Sequence, residues 1–295
     1  MISFLGFSDY AAPAHRLAER LGLPYHEIDI HRFPDGEHRL RLPLPLAKRV
    51  IICRSLNNPN AKLIDLMLAA STAREHGAEE IALVAPYLCY MRQDKAFLAG
   101  EAVSQRIIGR WLASMFDALL TVDPHLHRIR HLKEAIPLDQ AMSISASEAI
   151  ATALRKQNSQ ACMLVGPDEE SEPWVAALAA HCQLDYLVGR KKRFADREVA
   201  VSFPEAAVSG RHCILVDDII SSGETLARAA EALMSLGARS IECVVTHCLA
   251  DAEAIRRLQE SGIRIIRSTD SVPNTTASIQ LAPWLADGLR QMSWL

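Results

Sequence analysis

The feature that most restricts what this chain can fold into is a rhythm in which short apolar runs rich in β-branched residues alternate with stretches of helical periodicity. RVIICRS (49–55), EIALVAPYL (80–88), ALLTVDP (118–124), CMLVGPD (162–168), DYLVG (185–189), HCILVDD (212–218) and SIECVVTH (240–247) read as strands. Between them, AKLIDLMLAASTAREHG (61–77) is halted by Gly77, and EAVSQRIIGRWLASMF (101–116) sets Val103, Ile107, Trp111 and Leu112 at helical spacing. Strands separated by helices pair in parallel, because a parallel crossover needs a dozen or more residues and a helix supplies them. The expected fold is α/β with mainly parallel sheets.

The rhythm breaks at HLKEAIPLDQAMS (131–143), which carries few apolar periods. Two domains are expected, residues 1–143 and 144–295, with the last helix able to pack back on the first domain. A chain of 295 residues that is 49% hydrophobic can fill two such cores. ALLTVDPH and CILVDDI, both apolar strands ending in an acid, form a weak internal echo that raises duplication of one βαβ series. No segment reaches the roughly 18 consecutive apolar residues of a membrane helix, and the opening MISFLGFSDY does not read as a secretion signal. A formal charge of −3 gives no electrostatic footprint for nucleic acid. The seven cysteines lie mostly among apolar neighbours with no CxxC pair, and read as reduced core residues of a cytoplasmic protein.

Parallel sheets bind ligands at the carboxyl ends of their strands. Polar residues gather there repeatedly: Arg92, Gln93 and Asp94, then Asp123 and His125, then Asp168, then Asp217 and Asp218. One such Asp is ordinarily a helix cap or turn residue; the recurrence at strand after strand is harder to assign to capping. The stretch RHCILVDDIISSGETLARAAEALMSLG (211–237) is the most telling. Packing gives no reason for two acids at the end of an apolar strand. The turn that follows offers hydroxyls at Ser221, Ser222 and Thr225, a flexible backbone at Gly223, and the free N–H groups of a helix start, a combination that favours an anion. A group with both hydroxyls and a phosphate fits.

ILVDDIISSGETL resembles the phosphoribosyl-pyrophosphate-binding motif of the type I phosphoribosyltransferase fold. The chain as a whole resembles the ribose-phosphate pyrophosphokinase (phosphoribosyl pyrophosphate synthetase) family. The matching segments run in the family's order: RFPDGE (32–37), PYLCYMRQDK (86–95), TVDPHLHR (121–128), GPDEES (166–171), KKR (191–193), VDDIISSGET (216–225) and TDSVPN (269–274). The resemblance implies two Rossmann-like domains, an ATP-side first domain and a ribose-5-phosphate-binding second domain. The reaction it implies moves the diphosphoryl group of MgATP to the C1 hydroxyl of ribose 5-phosphate and releases AMP.

Carried over residue by residue, the resemblance assigns Asp217 and Asp218 to the ribose hydroxyls, and Ser221, Ser222, Gly223, Glu224 and Thr225 to the 5-phosphate. Phe33 would pack on adenine, with Asp35 and Glu37 at its polar edge and Arg92 and Gln93 reaching the nucleotide, in a site shared across the subunits of a homodimer or higher homo-oligomer. RFPDGE alone is also an ordinary turn sequence. His125 and Asp168 would hold magnesium, with His127 a neighbour. Lys191 and Arg193, in a basic cluster that could equally be a solvated patch, would be the transition-state cations of a catalytic loop.

The chain departs from the family pattern in the phosphate turn, in NNPNAKLIDL, and at Glu169 and Glu170, which stand where a glycine-rich diphosphate loop is usual. Two rivals therefore stay open. One is a phosphoribosyltransferase that consumes phosphoribosyl pyrophosphate and needs no ATP-side motifs; the other is a catalytically silent homologue.

Overall fold

The computed structural model describes the backbone of all residues except 127, 156–161 and 195–197, and the side chains of the remainder apart from 191–194, 198–200 and 206. The chain divides into two compact units, Met1–Ser145 with Leu281–Leu295, and Ala146–Gln280.

The first unit contains β1 (Ile2–Gly6), β2 (Tyr25–Glu27), β3 (Asp29–Arg32), β4 (His38–Arg41), β5 (Arg49–Cys53), β6 (Glu80–Ala85), β7 (Ala118–Val122) and β8 (Gln140–Ile144). Six of these form one parallel sheet in the order β2-β1-β5-β6-β7-β8, and β3 and β4 make a separate antiparallel hairpin. The central strands are apolar along their length because helices cover both faces of a parallel sheet; β7 is buried at every position. Pro59 starts the long helix Pro59–Glu75, where its missing N–H costs nothing. Gly77, at φ +92°, ends that segment in the left-handed region.

The second unit contains β9 (Cys162–Gly166), β10 (Tyr186–Val188), β11 (Arg190–Phe194), β12 (Glu198–Ser202), β13 (His212–Ile220), β14 (Ser240–Cys248), β15 (Ile263–Thr269) and β16 (Ala277–Ile279). Its sheet runs β10-β9-β13-β14-β15-β16, and β11 and β12 form an antiparallel hairpin. Counted within each sheet, both units have the strand order 2-1-3-4-5-6. In both, the first strand leads through a 3-10 turn (Ser8–Tyr10, Glu169–Ser171) into a helix (Ala11–Leu21, Glu172–Cys182), and the second strand is followed by the hairpin. The echo between ALLTVDPH and CILVDDI nevertheless joins strands at different positions: β7 is fifth in its sheet and β13 third.

The segment where the rhythm breaks is structured. It forms the short helix Leu132–Ala135 and β8, an edge strand that is only partly buried and so lacks a strong apolar signature. The closing residues return to the first unit. The helix Ala282–Gln291 packs against Ala11–Leu21, with Gly288 lying close to Leu120 and Ile144. Trp294 is 1% exposed; its Nε1 donates to Gln140 Oε1 at 2.7 Å, and the Arg49 guanidinium lies 4.5 Å from its ring.

Candidate active site

In the second unit the connection reverses direction between β9 and β13, the place where doubly wound sheets open a crevice. β13 pairs with β9 only through Leu215↔Val165, but with β14 as far as Ile220↔Cys248. Asp217 and Asp218 therefore lie beyond the last pair with β9, on a strand that is still held by β14. The acids were expected to end this strand. It continues to Ile220 instead, which fixes both carboxylates on a rigid element. Asp218 is 3% exposed, and its N–H donates to Asp217 Oδ1 at 2.9 Å. Burial, then the Asp218 charge, and to a lesser degree Asp168, push the Asp217 carboxyl well above its ordinary range. Three acids thus act on one another at this crevice, the crowding that a bound cation or a set of hydroxyl donors relieves.

The turn after β13 leaves Ser221 and Ser222 exposed and sets Gly223 at the N-cap of the helix Glu224–Ser235 with φ +76°. A Cβ on Gly223 would meet Leu258 at 3.0 Å, so both the backbone and the neighbour demand glycine. A glycine cap has no side chain to accept from the first-turn N–H groups, and it leaves them and the positive end of the helix dipole to an outside anion. Thr225 is half-buried in that turn, and Glu224 points to an ion pair with Arg228.

Asp168 follows β9 as N-cap of the 3-10 turn Glu169–Ser171, its Oδ1 accepting from the Glu170 N–H at 3.0 Å. Glu169 and Glu170 are exposed. Gly189 N–H donates to the Gly166 carbonyl at 2.9 Å, and a Cβ on Gly189 would come within 2.5 Å of the Pro167 carbonyl oxygen, so the β11–β12 hairpin is rooted beside the end of β9. A cavity of about 920 Å³, lined by Glu169, Glu172, Tyr186, Arg190, Ser202 and Phe203, lies at that root. Lys191 and Arg193 fall on β11; their side chains lie outside the described residues.

In the first unit, RFPDGE forms the tip of the β3–β4 hairpin. Phe33 N–H donates to the Glu37 carbonyl at 2.8 Å, Asp35 Oδ1 accepts from Glu37 N–H at 3.1 Å, and Gly36 takes φ +92°. Phe33 is 40% exposed, with His31 edge-on at 4.9 Å, and Asp35 and Glu37 are exposed beside it. The segment after β6 is held by Met91 and Asp94, both buried, which leaves Arg92 outside and Gln93 at the boundary. Gln105 Nε2 donates to the Met91 carbonyl at 3.1 Å, and Arg128 pairs with Asp94 at 2.5 Å. His125 is half-buried after β7, within the first unit, whereas Asp168 belongs to the second. His127 lies outside the described residues. Among the described residues, no group of three or more His, Cys, Asp or Glu side chains is set to hold a metal.

The sequence reading missed a charged cluster at the corresponding crevice of the first unit, at the ends of β1 and β5. Arg54 is buried there; its Nε donates to Asp9 Oδ1 at 3.1 Å, its Nη1 to Asp65 Oδ2 at 2.8 Å, and its guanidinium lies 4.0 Å from the Phe7 ring centre. Lys62 reaches Asp9 Oδ2, the Ser55 carbonyl and Asn57 Oδ1, each at 2.8 Å. His38 Nδ1 lies 2.6 Å from Asp65 Oδ1. The available signal was the polar pair Arg54-Ser55 directly after the apolar run VIIC.

Two family models match the chain, one described as the N-terminal domain of ribose phosphate pyrophosphokinase over residues 3–115, the other as a phosphoribosyl transferase domain over residues 138–277. The ribose-phosphate pyrophosphokinase of Methanopyrus kandleri is 35% identical over 98% of this chain and 99% of its own. Ribose-phosphate pyrophosphokinase 2 of Archaeoglobus fulgidus is 32% identical, over 94% and 96% of the two chains. The crystal structure of phosphoribosylpyrophosphate synthetase from Mycobacterium smegmatis shares the fold, with a TM-score of 0.86 at 22% identity over 99% of both chains.

Proposed function

The chain belongs to the ribose-phosphate pyrophosphokinase family, and from that premise we propose how its residues divide the family's reaction, transfer of the diphosphoryl group of ATP to the C1 hydroxyl of ribose 5-phosphate with release of AMP. The observation that carries the reading is the crevice at β13, where two carboxylates on a rigid strand precede an uncapped helix start. Ionised carboxylates accept from the two ribose hydroxyls. The backbone N–H groups and hydroxyls from Ser221 to Thr225 take the 5-phosphate.

On the nucleotide side, Phe33 stacks on adenine, Asp35 and Glu37 accept from its amino edge, and Arg92 and Gln93 reach the nucleotide from the segment after β6. The exposure of all three hairpin residues supports this, and it also supports a site completed by a second copy in a homodimer. The acids at the crevice are hard oxygen donors of the kind magnesium takes. His125 and Asp168 would hold that ion, which when bound neutralises triphosphate charge. Lys191 and Arg193, two positions apart on an extended strand, supply cations to the transferring group. The anomeric oxygen attacks the β-phosphorus, the bond to the α,β-bridging oxygen breaks, and AMP leaves.

No helix of the described residues is long and apolar enough to cross a membrane. All seven cysteines are free and six are buried, which suits a reducing compartment such as the cytoplasm. The decisive experiment is phosphorus NMR of the protein with MgATP and ribose 5-phosphate. AMP and a new sugar diphosphate ester should grow together. Nucleotide formation from phosphoribosyl pyrophosphate and a free base, with no AMP from the first mixture, would overturn the reading in favour of a transferase.

A further inference from the structure

We propose that His38 is a positioning residue for the nucleotide-side hairpin, docking its tip onto the buried Asp65–Arg54 pair, which Asp9 and Lys62 extend toward the surface, at the crevice of the first sheet. The inference rests on the reading of Phe33, Asp35 and Glu37 as nucleotide-binding residues.

The β3–β4 hairpin is not part of the main sheet. Two strands alone are marginal in water and need something to pack against. Along β3 and β4 only Ile30, His38 and Leu40 are even partly buried, and Ile30 and Leu40 lie against the apolar core. His38 is the inward position nearest the tip. It pairs with Arg32 across the hairpin and directly follows Glu37, whose carbonyl closes the turn onto Phe33.

Its partner is buried and held from two sides. Asp65 sits on the helix Pro59–Glu75 and is 1% exposed. Asp65 Oδ2 is taken by Arg54, which Asp9 holds from the other side, and Lys62 ties Asp9 to the backbone at Ser55. A carboxylate only accepts, so the imidazole Nδ1 carries the hydrogen in the 2.6 Å contact. Around it two carboxylates, Asp65 and Asp9, face two cations, Arg54 and Lys62. A buried acceptor held from more than one side resists displacement. The tip of the hairpin is thereby fixed at one end by a hydrogen bond to a charged, buried acceptor, a strong class of contact. Without that bond the tip would have to be ordered by the nucleotide itself, at the expense of affinity.

The test uses the full chain and three substitutions. His38→Phe keeps ring volume and removes the donor. His38→Asn places an amide nitrogen close to where Nδ1 lies. Phe33→Ala tests the underlying reading. Dissociation constants for ATP and for ribose 5-phosphate are measured by calorimetry, and amide exchange is followed over Phe33–Glu37. His38→Phe should weaken ATP about tenfold, leave ribose 5-phosphate within about twofold, and speed exchange at the tip, whereas His38→Asn should return ATP affinity to within about threefold of the parent. Unchanged ATP affinity in His38→Phe alongside weakened affinity in Phe33→Ala would overturn the positioning role and leave the site reading standing. If Phe33→Ala also binds ATP normally, both fall. Equal losses for both substrates, or no recovery in His38→Asn, would mean a general structural role and also overturn the proposal.

Discussion

At the scale of single residues, Asp217 of the candidate site carries a cost in stability. Its carboxyl is raised by burial first, by Asp218 next and by Asp168 to a lesser degree. An acid raised in the folded state keeps a proton that the unfolded chain has released. Stability of the ligand-free chain therefore falls as pH climbs from the ordinary carboxylate range toward the raised value, and stays lost above it. Asp217→Asn removes the charge and keeps an oxygen to accept from the Asp218 N–H. At pH 8 the variant should melt about 2–4 °C above the parent, the gap should close near pH 4, and activity should fall by roughly 100-fold or more. A lower melting temperature at pH 8 would show that the ionised acid is stabilised by something the crevice geometry omits. Sequence exposed this pair because two acids in an apolar strand have no packing explanation. It hid the Arg54 cluster, because its ion pairs are made by residues such as Asp9, Arg54 and Asp65 that are separated in the chain and ordinary in type.

At the scale of elements, what decides function is where each strand begins and ends. The strands β5, β6, β7, β9, β13 and β14 were legible because burial makes them continuous apolar runs, whereas β1 and the half-exposed β15, also inside their sheets, were not read. β8 and the hairpin β3–β4 were not, since half-exposed strands such as QAMSI and HRLR carry no such run. The strand–turn–helix at Gly223 was legible in type but not in strain. Its φ of +76° and the nearness of Leu258 predict that Gly223→Ala loses about 1–3 kcal/mol of stability. It should also weaken ribose 5-phosphate about tenfold by shifting the first-turn N–H groups, with ATP affinity unchanged as the check. For the hairpin β11–β12, rooted beside the end of β9, Lys191→Ala and Arg193→Ala should each lower kcat by about 100- to 1,000-fold with KM within about threefold. A change confined to KM would assign these cations to ground-state binding.

At the scale of the whole molecule, the shared strand order makes the two units variations on one plan, and the variation lies in what stands at the crevice: the ion pairs of Arg54 in one, the Asp217–Asp218 pair and a glycine-capped helix start in the other. The chain is also not simply bisected, because Leu281–Leu295 closes the first unit after the second is complete. Trp294 is the anchor of that return, nearly fully buried, bonded to Gln140 on β8 and faced by Arg49 on β5. Truncating a buried tryptophan costs about 3–5 kcal/mol, a large share of a domain's net stability. Trp294→Ala should therefore speed amide exchange in β8 and in the helix Ala11–Leu21, against which the last helix packs, while exchange in β13 and β14 stays at the parent rate. Trp294→Phe, which keeps one aromatic ring but loses part of the indole's volume and the bond to Gln140, should lose less, about 1–3 kcal/mol. Hydrogen-exchange mass spectrometry of both variants reads the two units separately. If β13 lost protection in step with β8, the two units would be unfolding as one, and the closing segment would be supporting the whole chain rather than the unit it completes.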